Sequence, residues 1–558
     1  MFFYFLVKEL DLKSISLAVL TMALPLTSLA GKLVYPENTI KSGDSLQVVS
    51  DELKLGLPAG NFKLSETKES LLGRHHYYQQ VVNGVEVDGS EIVVSVNPNN
   101  EVIKVYNNGT SATLKSADAG IPLISETQAL ESAWKKLKVI GELSDAPKVQ
   151  LMYSKDMNLV YKIGLSTTSP ASHFNLVVNA KDGSVISHED AALPRMKRAT
   201  APVRFAGKPA FQSFESANFS FQLQKAKKHL GLEELSFVNG SAQVFDPNPV
   251  VTLGRTDLQD TTPQSAFLQA YRNEELREIT FAGGVYSLKG PKVTLIDFES
   301  PKVAPSTSTD GSWIFERKDP RFNDAMTYMH IDRSVRYIES LGFTTSRAVF
   351  KNSIEVDANG VNGQDNSHYI PSSRRLAFGN GCVDDNEDAD VILHELGHAI
   401  QHHINPSWSG GDTGAMGEGF GDYWAATASL VADRGMEGNI NWVFKWDGHN
   451  QCWPGRKLNT FTPTYNSARS YGAHAQVDGG LSDELWSTPI FQAFLELQAS
   501  GASRGEIDKI ILEAHFGLGS AVKMPDMARS IVRTAKALFP AKSYDQVYLR
   551  HFQKMKIL

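Results

Sequence analysis

Apolar and polar residues alternate along the first part of the chain with the period of a β-strand. Runs of this kind cover residues 75–82 and 91–96 and are separated by the dipeptide Asn83-Gly84. Two-residue alternation on both sides of an Asn-Gly pair is typical of an antiparallel hairpin. We therefore predict a small antiparallel sheet within residues 31–118.

The segment that follows, residues 119–198, combines a helix with further strands. Ser125 and Gln128 form a capping-box pattern, which opens a helix that runs through Leu137. We expect this helix to pack against a curled sheet. Alternation predicts the strands of that sheet near residues 149–153, 159–165 and 174–178.

Beyond residue 199 the pattern changes from short strands to helices. Strands are predicted near residues 236–245 and 292–298. Residues 322–341 repeat apolar positions every three or four residues, which predicts an amphipathic helix with His330 beside its apolar face. Helical periodicity returns near the end of the chain, over residues 483–498, 504–516 and 525–538.

This succession of strands and helices predicts an α+β, multidomain protein. At 558 residues the chain exceeds a single core and has material for about three or four domains. A net charge of −7 is small for this length and no basic block stands out, so nucleic acid is not an expected partner. The domain divisions that we predict are residues 1–30, 31–118, 119–198, 199–405 and 406–558.

The N-terminus has the composition of an export signal. Lys8 and Lys13 precede an apolar run, residues 15–29, that ends in small residues. We interpret residues 1–30 as a secretory signal peptide, which predicts a secreted protein with no stable membrane association after cleavage. An uncleaved membrane anchor is the alternative, because two acidic residues beside these lysines are unusual in a signal.

The sequence contains two cysteines, Cys382 and Cys452. In an exported protein two cysteines can form a disulfide, but sequence alone does not show whether they lie close enough. Both the paired and the free state stay open at this point.

The strongest chemical pattern is a His-Glu-x-x-His sequence. His394 and His398 are one helical turn apart, so both imidazoles project from the same face and can share one metal ion, with Glu395 beside them. Apolar residues such as Ile392 and Leu396 recur at helical spacing around them, which supports a buried helix. The pattern therefore predicts a hydrolytic zinc site.

A zinc hydrolase usually needs a third protein ligand and keeps one position for water. Glu418 lies twenty residues (418 − 398) after His398 in a second helical run, among glycines, alanines and aromatic residues. Asp422 is one turn further on the same face, where it can orient a ligating imidazole. We predict Glu418 as the third ligand. His402 and His403 are not expected to bind the ion, because one ion cannot span three successive turns.

An acidic run, residues 384–390, precedes the zinc-site helix. Carboxylates at this place favour the positive end of the helix dipole, which accounts for most of them. Calcium binding is a second expectation for some of them, since hard oxygen ligands are dense here.

Two stretches together resemble the gluzincin metallopeptidases of the thermolysin and fungalysin kind: His-Glu-x-x-His at 394–398 and Gly-Glu-x-x-Gly-Asp at 417–422. The resemblance implies a two-lobed catalytic domain, strand-rich first and all-α second. It also implies that the two histidines and Glu418 bind zinc, that Glu395 is the catalytic base and that Asp422 orients the first histidine.

Residues of about 60–190 resemble the fungalysin/thermolysin propeptide module followed by a PepSY module. The resemblance rests on stretches such as residues 77–84 and 89–91. It implies a zymogen whose leader, residues 31–198, is a chaperone-like inhibitor of its own enzyme. The basic pair Lys197-Arg198 stands where such a leader should end.

Other positions are similar to functional positions of the family. Asn366 and Ser367 resemble edge-strand residues that hold the substrate backbone, and Asp390 resembles a calcium ligand. The family also has a histidine that stabilises the oxyanion, and His474 is the match. His449 or a tyrosine is the alternative, because the spacing around His474 departs from the family pattern.

These features predict a secreted zinc endopeptidase that hydrolyses internal bonds of proteins or peptides. A zinc aminopeptidase is one alternative, although the sequence shows no motif for holding a free amino terminus. A secreted binding protein with a relict zinc site is another. The intact Glu395 argues against that alternative, because a structural zinc site has no use for a carboxylate that activates water.

Overall fold

The computed structural model describes residues 32–41, 45–56, 59–111, 121–140, 143, 145–168, 171–191, 193–194 and 236–558. The predicted signal peptide and the pair Lys197-Arg198 lie outside these ranges. Helices and strands are mixed along the described residues, which confirms the predicted α+β fold. Within the same ranges we find no helix that is long and apolar enough to span a membrane.

The described part of the leader forms one sheet of nine strands. The sheet order is β1-β5-β4-β6-β7-β8-β9, with β3 beside β4 and β2 beside β3. Neighbours are antiparallel except β4 and β6, which pair in parallel where Val87 faces Tyr153. The strands are β1 Lys32–Val34, β2 Phe62–Glu69, β3 Arg74–Val82, β4 Val85–Val96, β5 Val102–Asn107, β6 Lys148–Tyr153, β7 Leu159–Thr168, β8 Ala171–Asn179 and β9 Val185–Asp190.

Two separate hydrophobic cores cover this sheet. Helix α1, Leu46–Glu52, packs Leu46 and Val49 against the first strands, and helix α2, Glu126–Leu137, packs Ala133 and Trp134 against the later ones. The capping box predicted at the start of α2 is present. The two predicted halves of the leader therefore have their own cores but share one sheet.

Two five-stranded sheets follow the leader. Their orders are β10-β18-β19-β17-β14 and β15-β13-β12-β11-β16. The first of them includes a leader strand, β10, which pairs antiparallel with β18. The strands are β10 Leu193–Pro194, β11 Ser236–Phe245, β12 Tyr271–Ala282, β13 Val285–Ser287, β14 Val293–Leu295, β15 Thr307–Ser308, β16 Ser312–Trp313, β17 Ile354–Asp357, β18 Ser367–Ile370 and β19 Arg375–Phe378.

Helices dominate the rest of the described chain, with two short hairpins between them. The hairpins are β20 Trp442–Val443 with β21 Arg456–Lys457 and β22 Gln476–Val477 with β23 Gly480–Leu481. The helices are α3 Pro249–Leu253, α4 Pro320–Ser340, α5 Ala389–Ile404, α6 Thr413–Leu430, α7 Ser482–Ala499, α8 Arg504–His515, α9 Met524–Leu538 and α10 Tyr544–Lys554.

Long periodic elements were predictable, whereas short ones were not. Strand β11 and helices α4, α8 and α9 lie within two residues of their predicted limits. Helices α1 and α3 were missed because five to seven residues give too few repeats of an apolar face. The prediction also missed the last helix of the helical lobe, α10, which follows α9.

The adjacent histidines of the leader correct one expectation. Alternation puts neighbouring residues on opposite faces of a strand, which predicts one exposed and one buried residue for His75 and His76. Both are buried, because His75 lies against Phe516 of the helical region and His76 bonds to Thr67 across the sheet. Sequence periodicity could not show that both faces of this strand are covered.

A disulfide joins Cys382 and Cys452 across a sequence separation of 70 residues. It connects the loop after β19 with the loop between β20 and β21. Closing a loop of this length removes conformational freedom from the unfolded chain, worth about 4 kcal/mol in the chain-entropy model. The pairing that the sequence left open is therefore expected to be a main covalent support of this region.

Replacing both cysteines, Cys382→Ser with Cys452→Ser, is expected to lower the free energy of unfolding by about 4 kcal/mol. The measurement is denaturant unfolding of the oxidised wild type and the double variant. Wild type unfolded in a thiol reductant is the matched control and should approach the variant. A difference below about 1 kcal/mol would contradict a supporting role for this bond.

Candidate metal centre

Helices α5 and α6 pack against each other and carry the central residues of the site. Asp388 caps the N-terminus of helix α5, because its carboxylate accepts the backbone N–H of Asp390. At the helix contact, a methyl group on Gly397 would lie 2.8 Å from Cα of Gly421. Glycine at both positions therefore lets the two backbones approach closely.

His394, His398 and Glu418 converge between these helices. Nε2 of His394 lies 3.4 Å from one Glu418 oxygen, and Nε2 of His398 lies 3.4 Å from the other. One ligand atom from each residue lies within 4.8 Å of the others, and all three side chains are buried. The structure therefore brings together the three residues that the sequence suggested as ligands. His402 and His403 are not in this group.

Asp422 lies behind the first histidine, where the sequence suggested it. Its Oδ1 is 3.0 Å from Nδ1 of His394, and both side chains are fully buried. This contact leaves Nε2 of His394 directed at Glu418. A carboxylate in this position fixes the ring orientation and the tautomer of a metal-ligating histidine.

Glu395 is buried beside the three residues and lacks the contacts that buried carboxylates normally have. Neither of its oxygens has a hydrogen-bond partner among the described residues. Burial raises the pKa of Glu395, while the nearby histidines oppose that shift. A buried carboxylate with both oxygens unsatisfied is rare, which fits a site where a further polar group binds next to it.

The donor set fits a zinc ion. Both ring nitrogens of His398 are buried without a hydrogen-bond partner in the described chain, which is costly unless another group binds there. Two imidazoles and one carboxylate are the protein ligands of a known class of catalytic zinc sites. Burial would raise the pKa of Glu418, but the charge of His474 and the nearby imidazoles of His394 and His398 outweigh it and hold that pKa well below its usual range. An ionised carboxylate is what a cation requires.

Arg456 is a site residue that the sequence did not reveal. Its buried guanidinium lies 3.0 Å from Glu418 and 2.8 Å from Asp422, and 3.5 Å from Asp483. One cation thus balances three buried carboxylates. Arg456 lies on β21, and no sequence motif surrounds it. The pairing of β21 with β20 is what positions it.

His474 lies at the rim of the same cluster. Its Nδ1 is 2.7 Å from Asp483, its backbone N–H donates to the same carboxylate, and its Nε2 is 3.5 Å from Glu418. Burial lowers the pKa of His474, but the charge of Glu418 and the bond with Asp483 outweigh it and raise the pKa to about 9. Asp483 was not singled out from the sequence, because it follows the histidine at a distance that no local rule predicts.

The alternative histidine lies elsewhere. His449 stacks on the Trp442 ring, with 4.0 Å between ring centroids, and its Nε2 lies near the backbone carbonyls of Val443 and Arg456. These contacts use the ring to hold the β20–β21 hairpin together. The structure thus brings His474, and not His449, to the cluster.

Asn366 and Ser367 lie at the start of β18. Ser367 donates to Asp385, and Oδ1 of the buried Asn366 has no partner among the described residues. The free edge that a substrate would need is covered here, because Leu193 and Pro194 of β10 pair with Tyr369 and His368 of β18.

A cavity of about 480 Å³ lies next to the cluster. His398 and Glu418 line one side of it. The leader residues Lys162, His173 and Asp190 line another side. The leader therefore covers the cleft at the metal-ligand residues.

The acidic run before α5 holds a neighbouring segment in place. Asp388 accepts the N–H groups of Trp446 and Asp447 at 2.9 and 3.1 Å, and Asp390 accepts the N–H of Phe444 at 2.9 Å. Asp390 also accepts the Ser429 hydroxyl. These donors occupy Asp390, which belongs to no group of three metal-type ligands in the described chain. The geometry therefore gives no support to Asp390 as a calcium ligand.

One acidic residue of this run does meet other carboxylates. Oxygen atoms of Asp365, Asp385 and Asp447 lie within 4.8 Å of one another. These residues come from three separate segments, so the sequence gave no indication that they would meet. We assign no ligand to them.

Comparison with known proteins finds relatives of this chain. Residues 60–108 match the family model described as Fungalysin/Thermolysin Propeptide Motif. The chain is 24% identical over 234 residues to Bacillolysin of Bacillus amyloliquefaciens, which covers 39% of this chain and 44% of that protein. It is 20% identical over 445 residues to Extracellular metalloproteinase 10 of Coccidioides posadasii (strain C735), which covers 70% of this chain and 65% of that protein.

Similarity to solved structures is weaker. The precursor of protealysin, a metalloproteinase from Serratia proteamaculans, is 13% identical, with a TM-score of 0.34 over 47% of this chain and 84% of that chain. A likeness of this size carries no argument. The PepSY resemblance of residues 119–198 stays a prediction.

The match at residues 60–108 and the two curated relatives lead to one conclusion. The chain spans less than two thirds of the length of either curated relative. The chain carries the propeptide motif of the fungalysin/thermolysin family and is a relative of the metalloproteinases of that kind.

Proposed function

We propose that the chain is the zymogen of an exported zinc endopeptidase. The observation that carries the proposal is the convergence of His394, His398 and Glu418 beside Glu395, a buried carboxylate without partners in the described chain. A metal-ligand set next to an unsatisfied carboxylate is suited to hydrolysis by an activated water. The relatives named as metalloproteinases support the same class of reaction.

His394, His398 and Glu418 would hold the ion. Zinc, when bound, lowers the pKa of a water molecule to about 7 and polarises a carbonyl group. Glu395 would accept the proton of the attacking water and pass it to the departing amine. Its buried position keeps competing water away from that proton. Asp422 would keep the His394 ring in the ligating orientation.

His474 would donate a hydrogen bond to the oxygen that becomes negative during attack. Asp483 holds Nδ1 of His474 at 2.7 Å and so fixes the orientation of the ring. Arg456 would balance the carboxylates around Glu418 and so keep their excess negative charge from opposing a developing anion.

An extended peptide would bind along β18, with backbone hydrogen bonds as in strand addition. The side-chain Oδ1 of Asn366, just before β18, has no hydrogen-bond partner among the described residues. In the zymogen, β10 takes the place of that peptide and the leader covers the cavity. We propose that the leader inhibits by this cover and that a cut near Lys197-Arg198 precedes activity.

We propose a domain architecture that matches this function. Residues 199–405 would be the strand-rich lobe with the zinc-site helix, and residues 406–558 the helical lobe. A signal at residues 1–30 would direct export, and a PepSY-like module at residues 119–198 would complete the leader. Calcium is not part of the proposal.

A protease assay tests this function and separates it from its alternatives. The matured protein should cleave casein and a peptide with a blocked amino terminus, and a zinc chelator should abolish both activities. An aminopeptidase would need a free amino terminus on the peptide. A binding protein would cleave neither substrate, and that result would refute the proposal.

Asp483→Asn is expected to lower kcat more than it raises KM, by about 10- to 100-fold, because His474 loses the group that orients it. Circular dichroism at pH 7 is the control for folding. Glu484→Gln, a change at the next residue that leaves His474 and Asp483 intact, is the matched variant. A kcat for Asp483→Asn within twofold of wild type would show that this contact has no part in the reaction.

A further inference from the structure

The helical region binds the leader through the loop between α8 and α9. A methyl group on Gly517 would lie 2.2 Å from Ser95 Oγ and 2.6 Å from His75 Nδ1, so this loop touches the leader sheet directly. The N–H of Gly517 donates to the Tyr77 hydroxyl at 3.2 Å. The N–H of Ser520 donates to Glu91 at 2.5 Å. These two amides are held across the interface by leader side chains.

His75 lies at the centre of this interface. The ring is 1% exposed and stacks on Phe516, with 5.6 Å between ring centroids. Its Nε2 is 2.8 Å from Ser70 Oγ, and that hydroxyl donates to Glu513 at 2.5 Å. Nε2 must therefore donate to Ser70. Nδ1, 2.8 Å from Ser95 Oγ, is then the acceptor of a neutral ring.

The charges around the ring oppose a second proton. Lys104 of β5 is buried, and Nζ donates to the Phe516 carbonyl at 2.5 Å. Burial of the ring and the charge of Lys104 are the main causes that lower the pKa of His75 well below 6.5. His76 of β3 and Lys68 of β2 lower it further. Glu513 of α8 is the carboxylate that faces the ring, through Ser70.

We propose that His75 makes docking of the leader sensitive to acid: the ring enters the interface only without charge, so protonation of the undocked leader opposes docking. This deepens the proposed function, because it rests on the leader being the inhibitor of the site. The structural part does not depend on catalysis. The contribution of His75 would then favour release of the leader from the helical region in an acidic compartment or medium.

The direction of the pH effect follows from the protonation of His75 in the docked and undocked leader. In the undocked leader His75 titrates near the ordinary value of about 6.5, whereas the docked ring stays neutral. Above that pH, His75 is neutral in both states and does not affect docking. Below it, protonation of the undocked form raises the opening constant about tenfold between pH 7.5 and 5.5.

Glu513 acts in the opposite direction. Burial raises the pKa of its carboxyl, so docking takes up a proton there. The contribution of His75 is therefore obtained by comparing the pH dependence of the opening constant in wild type and in a variant that keeps Glu513 but has no titrating ring. His75→Gln meets this condition, because an amide can both donate to Ser70 and accept from Ser95.

Hydrogen exchange of the Gly517 and Ser520 amides measures the opening directly. The full chain carries Glu395→Gln to prevent self-cleavage, so the readout needs no proteolysis. Exchange is followed at pH 7.5, 6.5 and 5.5 and corrected for the intrinsic rate at each pH. His188→Gln, a change at an exposed leader histidine, is the matched control. His75→Asn is a second variant that also lacks a titrating group.

The expected result is a ratio of opening constants, wild type over His75→Gln, that grows about tenfold from pH 7.5 to 5.5. His188→Gln should follow wild type. Because slopes with pH are compared, a variant that docks less tightly at every pH remains informative. Equal slopes for wild type, His75→Gln and His75→Asn would overturn the proposal, even if the chain proves to be an active protease.

Discussion

Glu395→Gln is expected to reduce kcat/KM for internal peptide bonds by about 10³- to 10⁴-fold, the upper range for loss of a general acid–base group. Glutamine has the same shape but cannot accept the proton of the attacking water. Since the Glu395 oxygens bind no described residue, the change should not disturb the fold. Zinc content should also stay at one ion per chain, because Glu395 is not in the ligand group.

Three measurements on one protein preparation test this expectation: kcat/KM on a blocked peptide, zinc content by atomic emission, and thermal unfolding. Glu437→Gln, at an exposed residue outside the ligand group, is the matched control and should equal wild type. Activity of Glu395→Gln within tenfold of wild type, with zinc bound, would remove Glu395 from the reaction.

Glu418→Ala is expected to have the second large effect, on the metal itself. Loss of a group that only orients a ligand typically costs 10- to 100-fold in metal affinity, so loss of a ligand should lower zinc affinity by more than about 100-fold. The variant also leaves Arg456 without one of the carboxylates that it balances, which adds positive charge beside the ion. Activity should fall with zinc occupancy.

Competition with a chromophoric chelator gives the zinc affinity of Glu418→Ala, wild type and Asp422→Asn. The three proteins should form a graded series, since Asp422 touches a ligating ring and Glu418 is expected to touch the ion. Equal affinities for Glu418→Ala and Asp422→Asn would show that Glu418 is not a ligand. Addition of excess zinc should restore part of the activity of Asp422→Asn but little of that of Glu418→Ala.

The ligand group could be predicted because its spacing is local. His394 and His398 share a helix face, and Glu418 and Asp422 repeat the same one-turn interval on the next helix. Residues that reach the site from loops could not be predicted in this way. Arg456 and Asp483 depend on the β20–β21 hairpin and on the start of α7, which join segments far apart in sequence.

The fold was also predictable where it depends on local sequence and not where it depends on contacts between distant residues. Amphipathic helices such as α4 and α9 were visible in the sequence because their apolar period extends over several turns. The pairing of β10 with β18 was not visible. It involves two leader residues and a strand almost two hundred positions away, and no propensity encodes such a contact.

The acidic run before α5 shows that composition alone cannot assign a calcium site. Asp388 and Asp390 were grouped with metal ligands because dense carboxylates suit a hard cation. In the folded chain their oxygens accept backbone N–H groups from residues 444–447 instead. These bonds attach the segment that leads to Arg456, so the run supports the site through its hydrogen bonds.

The central claim is that one zinc ion is held between α5 and α6 with an open corner beside Glu395. The most direct test is a crystal structure of the zinc-loaded Glu395→Gln chain, with the ion located by anomalous scattering. The prediction is one zinc at about 2.0–2.2 Å from Nε2 of His394, Nε2 of His398 and an oxygen of Glu418. A fully occupied ion at Asp365, Asp385 and Asp447 alone, or a fourth protein ligand in the open corner, would contradict it.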